Sequence, residues 1–322
     1  TKLVALRVAR SALPQALERV WAKGNAALPL DPELPDRQVR ELVGKFKPHE
    51  IETGEGITPL PDGRPVDPGI AVVLATSGTT GSPKGVELGW NALACAAELT
   101  NDAVGADAGD RWLCCLPPSQ TGGFMTLFRS RALGTRAKIH ERFEPERIAS
   151  ESDCRFISLV PTMLGRLLAS NVDLTHFDAL LVGGDRADPS LLENARERGA
   201  RVISTYGMTE TCGGIVYDGR PLPGVEVTLG EADVIQITSP TLMRGYRLDD
   251  DSTDRALVAE RFITSDRGDI DDEGRLRMLG RVDDVIISAG NKIVRRRLED
   301  ALAEHPAIDH ASVTAIPDPE LG

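Results

Sequence analysis

Between Thr76 and Lys84 the chain reads TSGTTGSPK, a run of glycines and hydroxyl residues closed by one lysine. Glycines let a backbone approach a ligand, threonine and serine supply hydroxyl donors, and Lys84 adds a point charge; together these are the parts of a phosphate cradle. The P-loop pattern G-x-x-x-x-G-K-[ST] does not fit. Counted from Gly78, Pro83 stands where the second glycine belongs and Gly85 where the hydroxyl belongs. A flexible linker has the same composition. The β-branched run Gly69–Leu74 before the loop reads as a buried strand, roots the loop at its base and favours the cradle.

Three further segments carry residues suited to the same ligand. In an open parallel sheet, ligands sit beyond the carboxyl ends of the strands, so residues just after apolar runs come first. Gly183 and Gly184, in VGGD, would let a flat base lie on the backbone, and Tyr206 offers it an aromatic face. Glu210, flanked by Thr209 and Thr211, is a carboxylate suited to hold Mg2+ against phosphate oxygens. Asp266 could accept two hydrogen bonds from a ribose diol, and Arg281 could pair with the ribose or the α-phosphate. Taken singly these are a strand-to-helix turn, a core tyrosine, a capping residue and solvated charges. The first two segments share a place after strands with the phosphate loop, and Asp266 and Arg281 lie together in a fourth segment, FITSDRGDIDDEGRLRMLGRVDDVIISAGNKI.

The elements that must position these residues alternate along the chain. Apolar runs at 111–117, 155–160, 177–184 and 200–207 are separated by helical stretches such as WNALACAAELTNDAV, PTMLGRLLAS and DPSLLENARERG, the pattern of a parallel, helix-flanked sheet. Residues 1–66 read as a helix around LPQALERVWAKG among proline-marked turns, leading to a first core strand at Gly69. After Gly213 short alternating runs broken by Gly and Pro predict an antiparallel subdomain, with no helix before RRRLEDALAEH. The expected fold is α/β: a large domain over 1–283 of mostly parallel sheets with a β-rich subdomain at about 213–282, then the start of a small α+β domain at 284–322.

Composition narrows the function classes. With 322 residues, 41% of them hydrophobic, the chain can bury a large core, and 49 acids against 37 bases give a net charge of −12. That balance argues against a nucleic-acid or membrane-surface role; the basic run Arg295–Arg297 reads as a solvated helix face. Five cysteines with no C-x-x-C pair suggest neither a disulfide framework nor zinc, and fit reduced thiols in the cytoplasm. No apolar run approaches the roughly 20 residues of a membrane span, and no signal-peptide h-region is present.

The motifs TSGTTGSPKG, YGMTET and TSDRGDIDDEGRLRMLGRVDD, in this order, resemble the adenylate-forming superfamily of acyl-CoA synthetases, peptide-synthetase adenylation domains and luciferases. The resemblance implies two half-reactions. A carboxylate attacks the α-phosphate of Mg·ATP to give an acyl-adenylate and pyrophosphate, and a thiol, coenzyme A or a phosphopantetheine carrier, then takes the acyl group. It implies that Thr76, Ser77, Gly78, Thr79, Thr80, Gly81 and Lys84 hold the β- and γ-phosphates. Gly183, Gly184, Asp185, Tyr206 and Gly207 would surround adenine. Thr209 and Glu210 would bind phosphate and Mg2+, and Asp266 and Arg281 the ribose. Lys84, Thr209, Glu210 and Arg281 are then the catalytic set, and Gln120, Thr121, Gly122 and Gly123 lie at the pocket for a small carboxylic acid. Asp283 matches a hinge, and Ser288–Lys292 the segment facing the thiol tunnel.

The brief N-terminal part is most similar to the short o-succinylbenzoate–CoA ligases of menaquinone biosynthesis. Those carry a histidine or aromatic gate after the LP dipeptide, whereas Ser119 and Gln120 stand here, so the acid pocket is expected to be lined differently. Only 38 residues follow Asp284, and Lys292 lies too early to match the family's late lysine, so the small domain is expected to be incomplete in this chain. A retired nucleotide-binding homologue would show erosion of the phosphate loop or of Glu210, and both are intact. A kinase or P-loop ATPase would release ADP in place of AMP and pyrophosphate.

Overall fold

Short strands buried on both faces build the centre of the molecule. In a strand successive side chains face opposite ways, so a strand buried on both faces must be apolar throughout. Leu3, Ala5, Leu28 and Val73 pack against Val39, Leu42 and Phe46 of the Asp36–Phe46 helix. Their neighbours Val4, Leu6, Ala27, Val72 and Leu74 pack on the other side, with the helices Leu13–Ala22, Trp90–Val104 and Thr121–Ala132. This computed structural model describes residues 1–76 and 83–282, the backbone of 285–288 and 291–294, and positions 298, 299, 301, 302, 305, 308, 311 and 313.

The first sheet runs, side by side, Gly245–Tyr246, Lys84–Gly89, Ile70–Thr76, Ala26–Pro29, Leu3–Arg7, Glu50–Thr53 and Gly56–Pro59. The second runs Arg220–Pro221, Gly213–Tyr217, Val202–Met208, Ala179–Val182, Phe156–Leu159, Trp112–Cys114 and Lys138–Ile139. Central neighbours are parallel in both, and antiparallel pairs lie toward the edges. In the second sheet Trp112, Phe156, Ala179, Leu181 and Ile203 face Val104, while Leu113, Ile157, Leu180 and Val182 face the helices Pro161–Ala169 and Pro189–Glu197. Helices therefore cover both faces of both sheets, one helical layer being sandwiched between them. The α/β class is the one expected.

The structure differs from the sequence reading in three respects. Leu3–Arg7 and Ala26–Pro29 are core strands, buried throughout but for the half-buried Arg7, so the strand at Gly69 is not the first. LVALR and AALP are four- or five-residue runs, too short for periodicity to separate strand from helix, and Pro29 reads as a turn. It ends its strand opposite Leu6. Gly213–Tyr217 and Arg220–Pro221 extend the second sheet antiparallel to Val202–Met208 and so do not belong with the antiparallel sheet of Glu226–Leu229, Val234–Thr238, Leu257–Val258, Arg261–Ile270 and Leu276–Arg281. A helix also forms at Asp250–Ala256, where DDSTD shows no apolar period; the Asp249 carboxylate accepts from Ser252 N at 3.1 Å and caps it.

All five cysteines are unpaired. Burial pushes the Cys114 thiol up to about 11 and, with Asp153 beside it, the Cys154 thiol up to about 12. Cys115 and Cys212 are driven up for the same reason, and only Cys95 is partly exposed. A thiol reagent at neutral pH should therefore label one cysteine in the native chain and all five after denaturation. Rapid native labelling of two or more would contradict this packing.

Candidate active site

The strand Ile70–Thr76 turns back directly as Lys84–Gly89, with Thr76 opposite Lys84. The two strands are the arms of a β-hairpin, and Lys84 opens the second arm. Ser77, Gly78, Thr79, Thr80 and Gly81 lie outside the described residues, as does Asp283. The strand Gly245–Tyr246 pairs with the far side of the hairpin, Tyr246 opposite Val86. Side chains two apart share a face, so Lys84 and Tyr246 are diagonal neighbours. The Lys84 ammonium lies 4.4 Å from the centre of the Tyr246 ring.

Glu210 meets the same tyrosine from the other sheet. Val202–Met208 ends in a single tight turn, Thr209–Thr211. The fully buried Thr211 closes it: its hydroxyl accepts from Met208 N at 3.0 Å and donates to Gly213 O at 2.7 Å. Cys212 follows in the left-handed region at φ 54° and Gly213 at φ 100°. The chain so reverses at once and leaves Glu210 at the apex. Its carbonyl accepts from Met243 N at 2.7 Å, and its carboxylate Oε1 accepts from the Tyr246 hydroxyl at 2.8 Å. Burial first, then the Glu210 charge, drives the Tyr246 hydroxyl well above its ordinary range, so it stays a donor at neutral pH.

Four residues before Glu210, the Tyr206 hydroxyl donates to Asp266 Oδ2 at 3.0 Å. Asp266 and Arg281 are opposed across Arg261–Ile270 and Leu276–Arg281, and the guanidinium lies 3.2 Å from Asp266 Oδ1. Burial and the Asp266 carboxylate raise the Tyr206 hydroxyl as well. The strand end from Tyr206 to Glu210 therefore joins two clusters, one around Lys84 and one around Asp266.

The glycines require a correction. A Cβ on Gly183 would lie 2.1 Å from Thr205 Oγ1, so a flat base cannot rest on that face. Gly184, exposed at φ 83°, meets only Val160 Cγ1, 3.5 Å from its Cβ position, and Asp185 beside it is exposed. Gly207 is demanded by packing, its Cβ position being 2.0 Å from Gly213 O. Gly183→Ala should cost about 1–3 kcal/mol by overpacking, part of it recovered by a second change, Thr205→Ala. Urea midpoints check this; an unshifted midpoint for Gly183→Ala would contradict the contact.

Gln120, Thr121, Gly122 and Gly123 open the Thr121–Ala132 helix. Gln120 is exposed, and Gly123 is buried with its Cβ position filled by Pro117 O at 2.3 Å. Thr121 points to the site: its hydroxyl lies 2.7 Å from that of Thr209. The space above Gly213 is bordered by Thr121, Met125 and Arg129, each 3.8 Å from its Cβ position. Spaced by four, these residues share one helix face.

Arg129 escaped the sequence reading, although a charge four residues after Met125 on a buried stripe was a usable signal. It is 4% exposed, donates from Nη1 to Ser158 Oγ at 2.9 Å and lies 4.9 Å from the Trp112 ring. Its Nε has no partner, and no carboxylate pairs with it among the described residues. Burial holds its pKa below the usual arginine value. Tyr246 was also missed, since MRGYR shows nothing locally that marks it.

Comparison with known proteins places this arrangement. Residues 23–247 match the model of the AMP-binding enzyme family. The probable 2-succinylbenzoate–CoA ligase of Mycobacterium tuberculosis is 35% identical over 273 residues, 81% of this chain and 70% of that protein. The 2-succinylbenzoate–CoA ligase of Bacillus velezensis is 34% identical, over 78% of this chain and 57% of its own length. The structure of Bacillus subtilis o-succinylbenzoate–CoA synthetase with its acyl-adenylate intermediate superposes over all of this chain and 76% of that one, at TM-score 0.87 and 26% identity. The same enzyme with ATP and magnesium ion superposes at TM-score 0.87 and 25% identity, over 99% of this chain and 78% of that one. The chain, with its hairpin-borne Lys84 and turn-borne Glu210, belongs to the AMP-binding enzyme family.

Proposed function

We propose that the protein activates an aromatic dicarboxylic acid of the 2-succinylbenzoate type with Mg·ATP, forming an acyl-adenylate and pyrophosphate, and passes the acyl group to coenzyme A. The convergence of Lys84, Glu210, Thr209 and Thr121 from two sheets and one helix carries this reading. A phosphate chain at this point meets an ammonium on one side and hydroxyl donors on the other, which stabilise charge as it moves onto the leaving pyrophosphate. Asp266 and Arg281 suit the ribose and α-phosphate, with Tyr206 fixing the carboxylate between them.

The site suits magnesium in particular. Among the described residues no cluster of three or more His, Cys, Asp or Glu exists, so there is no all-protein metal cage. Mg2+ is commonly held by one or two carboxylates plus substrate phosphates, and Glu210, with one oxygen held by Tyr246, presents the other. When bound it would neutralise phosphate charge beside Lys84.

The acid is assigned from Arg129. A 2-succinylbenzoate molecule has two carboxylates; one must meet the α-phosphate near Thr121 and Thr209, and the other must be neutralised away from water. The buried guanidinium two turns further along the same helix face suits that second charge. The hinge at Asp283 and the tunnel segment are part of the proposal: the backbone of Val285–Ser288 pairs with Asn291–Val294, so Ser288 and Asn291 meet across a hairpin. The five free thiols suit a cytoplasmic enzyme, and no helix among the described residues is long and apolar enough to cross a membrane.

Pyrophosphate release across a panel of carboxylic acids tests the assignment. The expected ranking puts 2-succinylbenzoate far above benzoate and straight-chain fatty acids. Equal rates for acids lacking the second carboxylate would overturn the substrate class, and ADP as product would overturn the reaction.

A further inference from the structure

Lys84 and Glu210 carry opposite charges to one place, and in a half-buried site such groups attract strongly. A direct pair would occupy the ammonium and the carboxylate that the phosphates and the metal need. Neither residue makes an ion pair among the described residues. Between them stands Tyr246, 8% exposed, with the ammonium 4.4 Å from its ring centre and its hydroxyl 2.8 Å from Glu210 Oε1.

We propose that Tyr246 is a positioning residue that keeps Lys84 and Glu210 from pairing with each other, holding the cation on its ring face and the carboxylate on its hydroxyl. This rests on the ATP-site reading above. The tyrosine is itself held from three sides. Its amide donates to Thr253 Oγ1 at 2.8 Å, Met243 N ties the preceding residues to Glu210 O at 2.7 Å, and Arg247 N ties the following ones to Gly85 O at 2.7 Å. The Arg247 side chain, 4% exposed, anchors the segment further, donating to the carbonyls of Phe46 at 3.1 Å and Pro65 at 2.6 Å. A side chain so fixed can separate two charges without itself moving. The cation–π contact holds the ammonium loosely enough for a phosphate to replace it, since a ring quadrupole attracts more weakly than a carboxylate.

The test is a calorimetric cycle of ATP binding in the presence of a chelator, with the wild-type chain, Glu210→Gln, Tyr246→Leu and the double variant. Removing the Glu210 charge should help metal-free ATP modestly in the wild type. In the Leu background it should help about tenfold more, because it also frees Lys84 from a pair that Tyr246 no longer prevents. Equal gains in both backgrounds would overturn the proposal. Tyr246→Phe supplies an independent reading should the Leu variant fold poorly. It keeps the ring between the charges and loses only the hold on Glu210, so metal-free ATP affinity should stay within about twofold while the Mg2+ needed for half-maximal Mg·ATP binding rises about fivefold. A loss of metal-free ATP affinity in the Phe variant, with its Mg2+ requirement unchanged, would overturn the spacer role. A wild-type chain that bound no ATP would instead overturn the ATP-site reading itself.

Discussion

Glu210→Gln is expected to slow pyrophosphate release by about 100- to 1,000-fold with little change in folding stability. The substitution is nearly isosteric, and the turn that carries residue 210 is closed by Thr211 and by the Met243 amide on the Glu210 carbonyl, none of which involves the carboxylate. The hydrogen bond from Tyr246 also survives in weaker form, because a Gln amide oxygen is still an acceptor though it carries no charge. What is lost is the charge beside the phosphates and with it the hold on Mg2+, so excess magnesium should recover part of the rate. A variant with wild-type rates and wild-type magnesium dependence would remove Glu210 from the reaction.

Arg129→Leu should raise the KM for the dicarboxylic acid about 100-fold, leave ATP affinity unchanged and hold or raise the melting temperature. The first effect arises from stranding a substrate carboxylate in a buried place with no cation. The last arises from the present state of the arginine, a buried charge with a hydroxyl and an aromatic face for partners and, among the described residues, no carboxylate. Replacing such a group by an apolar side chain of similar bulk is often neutral or stabilising. Opposite movements of activity and stability mark a residue kept for function. Should the variant melt far lower with KM unchanged, Arg129 would be a structural residue and the acid would bind elsewhere.

Much of the site was legible because its residues lie just beyond strands that announce themselves. The run ending at Val182 is buried and apolar and Val202–Met208 starts on two buried residues, and residues at the carboxyl end of a strand in a parallel sheet face the ligand side, which is how Tyr206 and Glu210 could be named in advance. Asp266, mid-strand in the antiparallel sheet, was legible only through the motif that holds it. The hidden part depends on contacts between segments far apart in sequence. Tyr246 reaches Lys84 and Glu210 only because a two-residue strand pairs with the hairpin, and no local pattern encodes that pairing. Gly183 looked like a bed for a flat base, but whether a glycine faces ligand or protein depends on its neighbour, here Thr205 on the adjacent strand. The strands Leu3–Arg7 and Ala26–Pro29 were missed for a related reason: their burial comes from lying mid-sheet, and four or five residues carry too little pattern to show it.

The central claim is that a carboxylate attacks the α-phosphate. It is tested most directly by following oxygen from a carboxylate-labelled acid, with ATP, Mg2+ and hydroxylamine to trap the activated acyl group. Attack at the α-phosphate leaves one labelled oxygen bridging acyl group and phosphorus, and trapping then breaks the acyl carbon–oxygen bond. The account predicts that AMP carries this oxygen, with pyrophosphate unlabelled. Label in orthophosphate, with ADP as the nucleotide product, would place the attack at the γ-phosphate and contradict it.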